Sequence, residues 1–211
     1  MDAVTDIELE PPAAAVLFGP QIERARAFTA ALASQGEPLG LIGPLERSRI
    51  WTRHVLNSAL VARLLRPGRV GDVGSGGGLP GLVLAIARPD VRFVLIEPME
   101  RRTDWLHAQI EELGLTNATV ERARAEDSAE RGRLDQVTAR AVSALKTLIP
   151  AVAPLVRPGG ELILMKGARV EAERDAAAKQ IARAKLSDIE VLELSEPGLR
   201  ESTRVFRAIV G

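Results

Sequence analysis

The chain has 211 residues, enough for one sizeable core, with 46% apolar and 27% charged residues, the balance of a soluble globular protein. It contains no cysteine, which excludes a disulfide framework, a thiolate metal site and a cysteine nucleophile. Lys plus Arg and Asp plus Glu both number 28, so net charge does not mark a nucleic-acid binder, and the apolar runs are too short to span a membrane.

The acidic opening MDAVTDIELEPP lacks a basic segment followed by an apolar one, so no signal peptide is expected and a cytoplasmic location follows. After Pro11-Pro12 the spacing predicts a helix over 13–32, then a breaker-rich loop, GEPLGLIGP, at 36–44. Helical spacing returns over 45–65 and stops at Pro67-Gly68. From Arg47 to Arg69 the chain carries six arginines (47, 49, 53, 63, 66 and 69), His54 and no acid. Such a run is either a basic face toward a polyanion or a solvated helix surface.

Beyond Arg69 the rhythm changes. Strands are predicted at 69–75, 91–97, 117–123, 134–142, 160–167, 188–194 and 203–210. Helices are predicted at 80–87, with Pro80 in the first turn, and at 101–114, stopped by Gly114. A proline-interrupted helical segment fills 143–156, and a charged helix 169–186. Alternating strands and helices imply a parallel sheet covered on both faces, and the short link between the last two strands makes them antiparallel. The expected fold is α/β, a doubly wound, seven-stranded Rossmann-like sheet with an antiparallel last strand. Residues 1–66 read as a helical extension packed on a domain at 67–211.

DVGSGGGLPG (72–81) opens the chemistry. Gly76, Gly78 and Gly81 satisfy the dinucleotide pattern G-x-G-x-x-G, but in the wrong register, because the strand ends near Val73. From that end the chain reads D-x-G-x-G-x-G through Asp72, Gly74, Gly76 and Gly78. An acid at that point repels a pyrophosphate. It suits S-adenosylmethionine, whose sulfonium and ammonium are cationic and which has no phosphate. Glu97 ends the next strand, where a ribose diol donates to a carboxylate in many nucleoside sites.

Through these motifs the chain resembles the bacterial methyltransferases that modify a guanine of 16S ribosomal RNA at N7, the methyltransferase G or glucose-inhibited division protein B family. The resemblance covers roughly residues 40–211. It rests on WTRHVLNS (51–58), DVGSGGGLPGLVLAIARPD (72–90), RAE (124–126), ARA (139–141) and LMKG (164–167). It implies a class I S-adenosylmethionine-dependent methyltransferase fold. It implies cofactor contacts at Gly74 and Leu79, at Ala125 and Glu126 beside the adenine, and at Arg140. It implies guanine or RNA contacts at Arg53, His54, Arg140 and Lys166. Trp51 reads as core, and Trp105 and His107 as packing and surface.

Absent residues narrow the reaction. Without cysteine, pyrimidine C5 methylation loses its common nucleophile, and ARAVSAL stands where exocyclic amine methylases often carry [DN]-P-P-[YF]. Guanine N7 has a free in-plane lone pair, so in-line displacement needs no obligate general base. The expected partner is 16S ribosomal RNA or the small subunit, bound by a basic face mainly at Arg47–Arg69, with no membrane, no metal and a monomeric enzyme. Methylation of a small molecule or protein, and dinucleotide-dependent redox chemistry, are the alternatives.

Overall fold

The computed structural model describes residues 7–211; the first six residues of the acidic opening lie outside that range. β1 (Arg69–Val73), β2 (Arg92–Ile96), β3 (Ala118–Glu121), β4 (Leu134–Arg140), β5 (Val156–Lys166), β6 (Leu186–Leu194) and β7 (Thr203–Val210) form one sheet. Their order is β3-β2-β1-β4-β5-β7-β6. The first five strands are parallel, and β7 lies antiparallel between β5 and β6.

The two-residue period of a strand divides the core into two layers. Phe93 and Leu95 of β2, with Ile163 and Met165 of β5, pack with the extension and with α4 (Gly81–Ala87) and α5 (Glu100–Glu112). Val94 and Ile96, with Leu162 and Leu164, pack instead on α6 (Leu145–Val152), α7 (Val170–Ala176) and α8 (Ala178–Arg183). The extension is integral to the first layer: Phe28, Leu32, Ile50 and Leu56 are fully buried in the same cluster as Leu82 and Phe93.

Three predicted helices are more broken than their spacing suggests. Gly19-Pro20 splits the first into α1 (Ala13–Phe18) and α2 (Ile22–Gln35). The 169–186 segment divides at Ala177, which is completely buried between α7 and α8. The 45–65 segment becomes a 3-10 turn at Arg47–Arg49, a π-helical stretch at Ile50–Leu56, the α-turn α3 (Asn57–Ala59) and a 3-10 stretch at Leu60–Leu64. Its π-helical part buries Ile50, Trp51, His54, Val55 and Leu56, a wider face than the stripe of a regular helix.

Strand order reverses between β1 and β4, so the connections leaving their carboxyl ends diverge and open a crevice. The glycine loop follows β1 there, and residues 141–144 follow β4.

Candidate active site at the β1–β4 crevice

Gly74, Gly76 and Gly78 take φ values of +70°, +53° and +88°, left-handed backbone that glycine adopts without penalty. A Cβ on Gly78 would collide with Leu82, and one on Gly81 would sit 2.5 Å from Asp72 Oδ2. A Cβ on Gly76 would meet only the Gly74 carbonyl oxygen, at 3.7 Å. The loop is therefore packed from below and open at Gly76, where a ligand can approach the backbone.

Asp72 is fully buried beneath this loop. Its Oδ2 accepts from the Gly81 N–H at 3.0 Å, and its Oδ1 from the Thr138 hydroxyl at 2.9 Å. Burial pushes its pKa up to about 6. The carboxylate thus braces the loop from within. Glu97 is also buried, accepting from the N–H groups of Gly76 and Met99 at 3.0 Å each. Trp105 supports the loop from α5, its indole N–H donating to the Gly77 carbonyl at 3.2 Å. Leu79 and Ala125 are buried, whereas Glu126 is exposed in the short turn after β3.

Across the crevice, Arg140 ends β4 and reaches into the extension. Its guanidinium donates to the backbone carbonyls of Arg53 and His54, to the Ser58 hydroxyl at 3.2 Å, and to His54 Nδ1 at 3.0 Å. His54 Nε2 in turn donates to Glu46 Oε2 at 2.7 Å. Accepting at Nδ1 and donating at Nε2 defines a neutral imidazole. Burial, followed by the charge of Arg140, pushes the His54 pKa down to about 4. Burial, with Arg53 nearby, lowers Arg140 to about 10. Arg140 thus clamps the extension to the sheet.

Lys166 ends β5 and donates to the Ser143 carbonyl at 2.7 Å while pairing with Glu173 at 2.8 Å. A cavity of about 730 Å³ opens over these groups, lined by Arg53, Arg140, Lys166, Arg169 and Arg204, with Glu173 as its lining acid. Val142 connects the cavity with the loop, standing 2.8 Å from where a Gly74 Cβ would be. Ala141 before it takes φ of +54°, a strained value for a residue with a side chain.

Most arginines of the run at Arg47–Arg69 have acidic partners. Glu201 pairs with Arg49 and Arg53, Glu196 with Arg63, Glu161 with Arg66, and Glu130 with Arg69. Arg66 and Arg69 also lie at the amino end of β1, away from the crevice. The bracing roles of Thr138, Trp105 and Glu46 were not legible from the chain. For Thr138 a signal existed: with Gln136 it places two polar residues on one face of a strand buried on both sides.

The model for the family described as rRNA small subunit methyltransferase G (GidB) matches residues 21–203. The chain belongs to that family. Its relatives include the ribosomal RNA small subunit methyltransferase G of Leifsonia xyli subsp. xyli, 65% identical over 204 residues, covering 97% of this chain and 98% of the relative. The protein of the same name from Clavibacter sepedonicus is 61% identical over 206 residues, covering 98% of each. Among solved structures, a SAM-dependent methyltransferase from Aquifex aeolicus superposes with a TM-score of 0.58 at 17% identity, covering 85% of this chain and 98% of that one. A SAM-dependent O-methyltransferase from Thermotoga maritima gives 0.56 at 17% identity, covering 74% of this chain and 65% of that one. The chain therefore has the class I methyltransferase fold.

Proposed function

We propose that this chain transfers a methyl group from S-adenosylmethionine to N7 of a guanine in the decoding-region loop of 16S ribosomal RNA. Family membership over residues 21–203 carries this reading, and the open backbone at Gly76 gives the donor a place to lie. When bound, S-adenosylmethionine supplies an electrophilic methyl carbon on sulfur. Gly74, Gly76, Gly78 and Leu79 would form its floor, Glu97 would face its ribose, and Ala125 and Glu126 its adenine. Asp72 contributes by holding the loop in shape. Arg53, Arg140 and Lys166 line the adjoining cavity, and His54 positions Arg140 from behind.

Guanine N7 keeps its lone pair in the ring plane, so this chain need only orient the base and exclude water, not remove a proton. The transfer leaves a cationic purine, which a crowded positive site would oppose. Two features relieve that opposition: Glu173 offsets the Lys166 charge, and Arg140 directs its donors toward backbone carbonyls. The guanine must be unpaired or turned outward to enter. On this reading residues 1–66 are a helical extension packed on the core, 67–211 the methyltransferase domain, and the enzyme acts as a cytoplasmic monomer.

The direct test incubates purified protein with labelled S-adenosylmethionine and either 16S ribosomal RNA or isolated small subunits. Label recovered as N7-methylguanine is the expected result. Transfer to small molecules or protein with none to RNA refutes the proposal.

A further inference from the structure

The connection between β6 and β7 brings acids to the arginine run. Glu201 divides its carboxylate between two guanidinium groups, with Oε1 3.3 Å from Arg49 Nη2 and Oε2 3.8 Å from Arg53 Nη1. Beside it, Glu193 Oε2 lies 3.8 Å from Arg204 Nε. These distances exceed the roughly 2.7–2.9 Å of a close charge-assisted bond. Two pairs elsewhere are tighter, with Arg69 and Glu130 meeting through two contacts of 2.6 Å and Lys166 and Glu173 at 2.8 Å. Glu201, Arg49 and Arg53 are all more than a third exposed. Long, exposed pairs of this kind contribute little to folding.

One carboxylate bridging two arginines through separate oxygens has the charge and fork of a phosphodiester. Arg53 and Arg204 also line the cavity. The loop holding Glu201 is anchored next to it: Thr203 donates to the Asn57 carbonyl at 2.8 Å, and Asn57 donates to the Ser202 carbonyl. We infer that Glu201 occupies the position of an RNA phosphate, held by Arg49 and by the cavity-lining Arg53, and that a phosphate of the substrate strand displaces it. This rests on the RNA reading above. It moves the RNA-contacting surface from the whole 47–69 run to an arc of Arg49, Arg53 and Arg204. It also makes the β6–β7 loop a competitor that weak, non-substrate polyanions must outbid.

Glu201→Gln keeps the side chain's shape and removes its charge. Binding of fluorescently labelled 16S ribosomal RNA fragment should tighten about fivefold at low salt, with an unchanged thermal midpoint. Arg49→Ala and Arg53→Ala should each weaken binding and flatten its salt dependence by about 0.7 in log–log slope, the loss of one single-strand phosphate contact. If Glu201→Gln lowers the thermal midpoint, Glu201→Asp replaces it: too short to reach both arginines, it should tighten binding to a smaller degree. Unchanged or weaker RNA binding by a folded Glu201 variant overturns the inference, as do arginine variants with unaltered affinity. Methyl transfer to RNA by the wild-type protein separates the two failures. Normal transfer with an unaffected Glu201 variant removes only the phosphate surrogate, whereas no transfer removes the RNA reading itself.

Discussion

Asp72 and His54 are buried ionisable groups whose pKa values move in opposite senses for the charges they carry. In the fold Asp72 titrates near 6, above its unfolded value of about 3.9. The folded state therefore binds more protons between these values, and the stability from this group, full at low pH, is lost as pH rises through 6. His54 titrates near 4, below its unfolded value of about 6.5. Its contribution is full above 6.5 and is lost as pH falls toward 4. Urea unfolding of Asp72→Asn from pH 4 to 7 should thus show stability rising with pH by about 2 kcal/mol more than in wild type. His54→Asn should tilt the same profile the other way; a profile unchanged by either variant contradicts the assignment.

The glycines permit a sharper contrast. Gly78 and Gly114 both have positive φ, but only Gly78 is packed, against Leu82. Gly78→Ala should cost about 1–3 kcal/mol and weaken cofactor binding about tenfold or more. Gly114→Ala should cost about 1 kcal/mol and leave cofactor binding unchanged. Calorimetric titration with S-adenosylmethionine, beside thermal unfolding, distinguishes them.

At the level of elements, the site depends on parts that touch the ligand only through others. Trp105 on α5 holds the Gly77 carbonyl. Trp105→Phe preserves most of the packing but removes the donor, so it should cost about 1 kcal/mol of stability and raise the cofactor Kd a few-fold. Arg140 joins the end of β4 to the π-helical stretch through carbonyls that point at its fork. Lysine is a compact point charge without that fork, so Arg140→Lys should loosen the extension and speed its proteolysis. The strand pattern and the glycine loop were legible in the sequence because their causes are local: an unbroken apolar run buried on both faces in β2, and positive φ at Gly74, Gly76 and Gly78. The π-helical stretch was not, since its apolar spacing is compatible with a regular helix and its form is set by packing against the sheet.

Over the whole molecule, charge placement was the hardest feature to read. The run from Arg47 to Arg69 contains no acid, but the chain returns with Glu201 after 152 residues from Arg49 and with Glu130 after 61 from Arg69. Tertiary pairing converts a basic stretch into a mostly neutral seam, leaving cations concentrated at the cavity formed by the ends of β4, β5 and β7. The direction in which Asp72 faces was not legible either, because sequence places an acid beside a loop without showing its hydrogen-bond partners. The extension shares the core of the first layer, so its removal should unfold the sheet rather than release an active domain. A truncated 67–211 chain that folds and binds S-adenosylmethionine with wild-type affinity would contradict that.

The decisive measurement maps N7-methylguanine across 16S ribosomal RNA from cells with the gene, without it, and with it restored. One N7-methylguanine in the decoding-region loop should disappear on deletion and return with the wild-type gene. Full modification at that position in the deleted strain would contradict the proposed function.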